Sequence, residues 1–195
     1  MLVYNTLIVN KIELISPSGI KEICITEKNS ENIITIIDFE KNEEEKRKNN
    51  FNLIINIDKN AENAKVSVIA RYETQKKQIK ECNISVFLYG KNQTAHLDIR
   101  GVSEDFSLLS FNGGGIVTKK SEQCSVVIVQ KIYLFSEKAK AKATPVLRVE
   151  TDNILSASHS ASIAPFSDNL FFYMETRGIT KIDAQNLLRI GLLKI

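Results

Sequence analysis

The period-two runs that fill this chain up to about Ile163 limit its fold more than any other feature. "KVSVIARYE" places apolar side chains at Val66, Val68 and Ala70, and "TAHLDIRG" repeats the pattern at Ala95, Leu97 and Ile99. Alternation of this kind gives a strand one inward and one outward face. Further runs of the same character are "TLIVNKIELI", "KEICIT", "NIITIIDF", "FNLIINI", "NISVFLYG", "SLLSF", "CSVVIVQKIYLF" and "PVLRVET". No helical window of ten or more residues separates them, so the crossover helices of βαβ folds are missing. Two all-β solutions remain, a sandwich of hairpins or a solenoid of stacked coils.

Turn chemistry leans towards the solenoid. There is no Asn-Gly or Asp-Gly hairpin signal, and the punctuation is irregular, as in "FLYGKNQTAHLDIRGVSEDFSLLSFNGGG". Stacked coils tolerate loops of unequal length and need no strict repeat, and the sequence shows no clean period. The stretch from Phe39 to Phe51, "FEKNEEEKRKNNF", is too charged to pack and is expected to be a solvated loop. "FNGGGIV", Phe111 to Val117, lacks the pattern of a phosphate-binding loop and no helix follows it, so it is expected to form a tight corner between strands.

After Ser167 the period changes to three or four. Ser167 is placed as an N-cap with Asp168 in the first turn, Leu170, Tyr173 and Met174 share a face, and Gly178 stands where a helix terminator belongs. Thr180 with Asp183 opens a second helix in capping-box spacing, with Leu187 and Leu188 on its buried side and Gly191 near its end. Such a pair is too small to hold its own core and must pack on the body or on another chain.

At 195 residues the chain suits one domain, or one with a small appendage. No run approaches the roughly 20 apolar residues of a membrane span, and the N-terminus lacks the layout of a signal peptide, so a cytoplasmic location is the expectation. The formal net charge is +3, with lysines scattered rather than gathered into the basic, aromatic-interleaved stripe that nucleic acid requires. Cys24, Cys82 and Cys124 are odd in number and far apart, which indicates neither a disulfide framework nor a self-contained zinc site. Cys82 and Cys124 each open an apolar strand and read as small core residues.

His159, in "SASHSAS", is the most informative polar residue. A lone imidazole defines neither a triad nor a metal site, and a surface histidine without a role satisfies the composition. Small neighbours, however, leave the ring accessible, and imidazole suits iron or zinc as well as proton transfer. His96 alternates outward between Ala95 and Leu97. Asp98, Asp105, Glu150 and Asp152 stand singly, giving no acid and base pair.

The segment from about residue 106 to 193 resembles the SufB/SufD family, scaffold components of Suf iron–sulfur cluster assembly. The resemblance is carried by the F-x-G-x-I-x-V turn, the apolar strand ending in Gln130, Pro145 to Val149, Asp152, and "S-H-x-A" at Ser158 to Ala161. The most specific part is "L-F-F-Y-x-x-x-R-G-I" with "A-x-x-L-L-x-x-G", at Leu170 to Ile179 and Ala184 to Gly191. The resemblance implies a right-handed parallel β-helix over residues 1–165 and a C-terminal helical unit over 166–195. It further implies that Phe171, Phe172, Tyr173, Arg177 and Gly178 dock a SufC-type ABC ATPase, and that the β-helix pairs with a second SufB/SufD-type chain. His159 would lie at that pairing surface, where a transient iron–sulfur cluster is handled, with thiolates from the partner or inorganic sulfide completing the ligands. Ala157 and Ser160 replace the Cys and Gly of many SufD-like chains, and no cysteine falls near Ala139 as in SufB-type chains, so the chain is SufD-like and a short form. The helical N-terminal domain of longer members has no counterpart in the sequence. Against this non-enzymatic scaffold stand a β-solenoid enzyme acting on a polymer or an activated sugar, for which no nucleophile or acid and base set is found, and a degenerate member kept as a structural partner.

Overall fold

The computed structural model describes residues 8–40, 48–165 and 168–194. Among these, eleven strands precede two helices: β1 (Ile8–Ile15), β2 (Gly19–Ile25), β3 (Ser30–Asp38), β4 (Lys48–Ile57), β5 (Lys65–Thr74), β6 (Ile79–Leu88), β7 (Thr94–Ser103), β8 (Leu108–Val117), β9 (Cys124–Leu134), β10 (Lys140–Val149), β11 (Ile154–Pro165), α1 (Asp168–Glu175) and α2 (Lys181–Leu193). Odd-numbered strands form a six-stranded sheet in the order β1-β3-β5-β7-β9-β11, and even-numbered ones a five-stranded sheet in the order β2-β4-β6-β8-β10. Every pairing between these strands is parallel. Each coil is therefore one odd and one even strand, and the chain is a parallel β-solenoid, not a hairpin sandwich.

In-register stacking turns alternation into columns. Ile34, Val68, Leu97 and Ile128 align across four successive coils, and all four are completely buried. Opposite them Phe51, Cys82 and Phe111 align in the even sheet. Cys82 thus lies between two phenyl rings as a core residue, inside β6 rather than at its start.

The corners are fixed by polar side chains. Asn29, Asn63, Asn92 and Gln123 all take left-handed backbone conformations, which asparagine tolerates better than most residues. They stack turn on turn: the Asn63 side-chain amide donates to Asn29 Oδ1 at 2.8 Å. Beneath them the buried Gln93 accepts from the Tyr89 and Gly90 amides and donates to the Asp58 and Ala61 carbonyls, tying two coils together. On the even sheet Asn52, Asn83 and Asn112 form a further ladder, with links of 2.6 and 2.9 Å. Such ladders satisfy outward amides that would otherwise compete with the strand bonds.

Two expectations are corrected. The glycine run at Gly113 to Gly115 is no corner; it lies within β8. A Cβ on Gly113 would overlap the Ile84 carbonyl, one on Gly114 the Val146 carbonyl, and one on Gly115 would come within 2.5 Å of Val126 Cγ1. The glycines let neighbouring coils approach a strand, which is a different use of the missing side chain from a turn. The charged loop is also shorter than expected, because Lys48 to Phe51 belong to β4 and Phe51 is buried. Where the loop leaves β3, Lys80 donates from inside the solenoid to Asp38 Oδ1 at 2.7 Å and to the Asp38 and Glu40 carbonyls, and Asn49 donates to Asp38 Oδ2 at 2.9 Å. A buried charge pair survives only with this many partners. Residues 41–47 of the expected loop and the Ser167 cap position lie outside the described residues.

The second helix begins as its sequence dictates. Thr180 donates its hydroxyl to Asp183 Oδ2 at 2.7 Å and accepts from the Asp183 amide at 3.2 Å. The first ends on Gly178 in the left-handed region (φ +80°), with the Gly178 amide donating to Glu175 and that of Ile179 to Met174. No helix among the described residues is long and apolar enough to cross a membrane.

Candidate functional site

Two surfaces near the C-terminal end of the rod stand out. The first is the terminal coil, β10 with β11. Both strands stand at the ends of their sheets, and among the described residues no strand pairs with their outer edges. In β11 the serines at 156, 158, 160 and 162 align with Ser125, Val127, Val129 and Lys131 on the outward side. Ala157, His159, Ala161 and Ile163 align with the buried Val126, Ile128, Gln130 and Ile132. His159 therefore continues the column of Ile34, Val68, Leu97 and Ile128, and it is exposed because no further coil covers it. The alternation in "SASHSAS" is a strand alternation with serine outside and alanine or histidine at the lumen.

Beside His159 the next inward column holds Gln130, completely buried beneath Ala161. Its Nε2 donates weakly to the Gly113 carbonyl at 3.4 Å and its Oε1 has no partner. Across the lumen Ala141, Ala143 and Leu147 of β10 are half-buried on the core. The mouth of the rod is thus rimmed by small side chains and one imidazole.

The cysteines lie elsewhere. Cys24 is exposed on β2, at the opposite end of the stack, while Cys82 and Cys124 are buried. Burial pushes the Cys82 thiol up to about 12, with Asp38 adding to the rise and the neighbouring Tyr72 hydroxyl opposing it. Burial also raises Cys124. Neither is a thiolate at neutral pH. Among the described residues no group of three or more metal-ligating side chains forms. Ala139, near the place expected for a SufB-type cysteine, is buried in the turn before β10. His96 faces outward from β7, as expected.

The second surface is the helix pair. One side of it is fixed to the body. Phe171 is buried against a cleft of about 420 Å³ that Leu134, Phe135 and Pro165 help to line, and the Lys181 ammonium sits 5.6 Å above its ring. Ala184 and Leu193 are buried. Arg189 donates to Glu104 at 2.6 Å, pairs with Glu73 at 3.0 Å without hydrogen-bond alignment, and stacks over the Phe135 ring. At the end of α2 the buried Arg71 donates from Nε to the Lys194 carbonyl at 3.2 Å, and from Nη2 to Asp98 at 2.7 Å. Burial of Asp98 favours the neutral acid, but the hydrogen bonds and charges of Arg71 and Arg100 outweigh it and hold the carboxyl below its ordinary value.

The other side faces water. Phe172 and Tyr173 are 69% and 57% exposed, and Ile182, Leu187 and Ile190 of α2 are exposed as well. The Arg177 guanidinium lies 5.4 Å from the Tyr173 ring centre. Of the aromatic positions singled out by sequence, Phe172, Tyr173 and Arg177 share the open side, Phe171 turns into the body, and Gly178 shapes the backbone between the helices. Leu187 is on the open side, contrary to the expectation from spacing, because Arg189 and Ala184 define the side that meets the sheet. Ile190 extends the open surface, and Ile182, seven positions before Arg189 on the same stripe of α2, is exposed at the first turn of the helix; their apolar character was a signal, but only the folded chain shows where the helix meets the body.

Comparison with known proteins agrees with this arrangement. Residues 40–192 match the family model described as "SUF system FeS cluster assembly, SufBD core domain". The iron–sulfur cluster assembly protein SufD of Bacillus subtilis is 27% identical over 129 residues, which is 66% of this chain and 28% of that protein. A SufBD family protein of Synechocystis is 25% identical over 87 residues, 45% of this chain and 19% of its own length. One from Mycobacterium leprae is 33% identical over 63 residues, 32% of this chain and 16% of its own length. The chain spans less than a third of each of these relatives.

Proposed function

Because the chain belongs to the SufB/SufD family of iron–sulfur cluster assembly proteins, we propose that it is a SufD-like scaffold subunit in the cytoplasm. In this reading the helical unit docks a SufC-type ABC ATPase, and the terminal coil pairs with a SufB/SufD-type chain. The observation that carries the reading is the helix pair itself: Arg189, Phe171 and Arg71 hold it on the solenoid, while Phe172, Tyr173, Ile182, Leu187 and Ile190 leave apolar surface in solvent. Helices with an apolar side left in water are recognition elements far more often than structural ones. Tyr173 and Arg177 supply the residue types that dominate interface energetics.

The terminal coil supports the pairing half of the proposal. A free strand edge is a template for another chain, and small side chains along β11 permit a close approach. His159 would then offer one nitrogen ligand at the seam to a transient iron–sulfur cluster. Thiolate ligands would come from the partner or from sulfide, since this chain's Cys82 and Cys124 are buried and Cys24 is remote. The buried carboxylates favour a scaffold over a solenoid enzyme: Asp38 is paired with Lys80, Asp98 with Arg71 and Arg100, and Glu73 with Arg189.

Co-purification with a SufC-type ATPase tests the docking. The complex is expected with the native chain and lost on Tyr173→Ala or Arg177→Ala; a complex that survives both contradicts it. Anaerobic reconstitution of the paired chains with iron and sulfide tests the ligand. Loss of the cluster absorbance on His159→Ala supports ligation, whereas an unchanged spectrum leaves a purely structural partner as the better reading.

A further inference from the structure

The other end of the rod carries a different pattern. Among the described residues β1 is the edge strand there, and its register with β3 sorts its side chains: Asn10, Ile12 and Leu14 align with Asn32 and the buried Ile34 and Ile36, while Val9, Lys11, Glu13 and Ile15 take the outward side. Lys11 and Glu13 are exposed, and so are Val9 and Ile15, the last at 72%.

We infer that β1 pairs antiparallel with β1 of a second copy about a two-fold axis through Ile12, joining two rods head to head. An axis normal to the sheet reverses both the strand direction and the rod direction, so it generates an antiparallel edge contact and keeps outward residues outward. In a symmetric pair of this kind the facing residues must lie equally far either side of the centre. Centred on Ile12, Lys11 of each copy faces the second copy's Glu13, and Val9 faces the second copy's Ile15. The outward face then reads as two ion pairs flanked by two aliphatic pairs, each of the kind that stabilises antiparallel neighbours. On the lumen side Ile12 meets its own symmetry mate and Leu14 meets Asn10.

A lysine on an edge strand is commonly a guard against association. Here its charge is matched by a glutamate two positions on, and the flanking outward positions are aliphatic, so self-pairing is permitted rather than blocked. The opposite sheet offers no such match. Its edge strand β2 places Lys21 in the inward column of Leu53, so β1 sets the register. This association is separate from the pairing proposed for the terminal coil, which lies at the other end of the stack.

Charge reversal in the full chain tests it, read by sedimentation equilibrium over a concentration series. The native chain is expected to dimerise. Lys11→Glu puts a carboxylate opposite the second copy's Glu13, Glu13→Lys puts an ammonium opposite its Lys11, and each should weaken dimerisation by about tenfold or more. The double reversal restores complementarity and should restore the dimer. Ser160→Lys, on the far edge strand, should leave this step unchanged, and circular dichroism should show all variants folded. A native chain that stays monomeric, an association indifferent to the single reversals, or a double reversal that remains as weak as the singles would overturn the proposal.

Discussion

The guanidinium of Arg189 meets the carboxylate of Glu104 at 2.6 Å although the two stand 85 positions apart in sequence. That contact, with the Glu73 pair beside it, decides which side of α2 rests on the solenoid. Arg189→Ala leaves Glu73, 7% exposed at its side chain, without a cation. A loss of about 2–3 kcal/mol is expected, since an orphaned, largely buried charge costs more than the pair gained. Hydrogen exchange should show it as faster exchange in α2, with β5 and β7 little changed.

The cysteines give a pH prediction. The thiol of Cys82 titrates near 12 in the folded protein, against an ordinary value of 9.0. A raised value means that the folded state keeps its proton while the unfolded state loses it. The contribution to stability is therefore complete below about pH 9 and declines as pH rises towards 12, by about 1.4 kcal/mol per unit. Urea unfolding between about pH 8 and 11, on either side of the ordinary thiol value, should show the decline, and Cys82→Ala should reduce its slope, the raised Cys124 thiol and Tyr72 hydroxyl keeping a remainder. In the native protein a thiol reagent should modify the exposed Cys24 rapidly and the buried Cys82 and Cys124 only on unfolding.

Gly114 aligns with Val146 where β10 pairs with β8, and a Cβ there would overlap the Val146 carbonyl. Because the obstacle is strand backbone, it cannot rotate away. Gly114→Ala should cost about 3 kcal/mol. The terminal coil should loosen first, seen as lost exchange protection in β10 while β4 and β6 keep theirs.

These residues also mark how far the sequence could be read. Strands such as Lys65–Thr74 and Thr94–Ser103 were legible because one face is core and the other is not, so burial writes itself as alternation. Thr180 with Asp183, and Gly178, were legible because caps are local chemistry. The solenoid period was hidden by unequal turns: Ile8 aligns with Ser30, Glu31 with Lys65, and Lys65 with Thr94, so successive coils differ in length. Gly113 to Gly115 misled because the atoms that exclude a side chain come from Ile84, Val146 and Val126, on three other strands. Lys48 to Phe51 misled because polar residues in a strand carry no alternation. The orientation of α2 was out of reach for the same reason as the glycines, since Glu73 and Glu104 are neighbours of Arg189 only in the folded chain. His159 stood out by composition, yet its alignment with Ile128 required the register of β11 on β9.

In the proposed function the open side of the helix pair and the terminal coil each bind another protein. Hydrogen–deuterium exchange on this chain, alone and assembled with a SufC-type ATPase and a SufB/SufD-type chain, tests it most directly. Protection is expected in α1 and α2 from the ATPase, and in β10 and β11 from the paired chain. Unchanged exchange in α1 and α2 in the complex, with protection confined to the lateral strands β4 to β7, would contradict it.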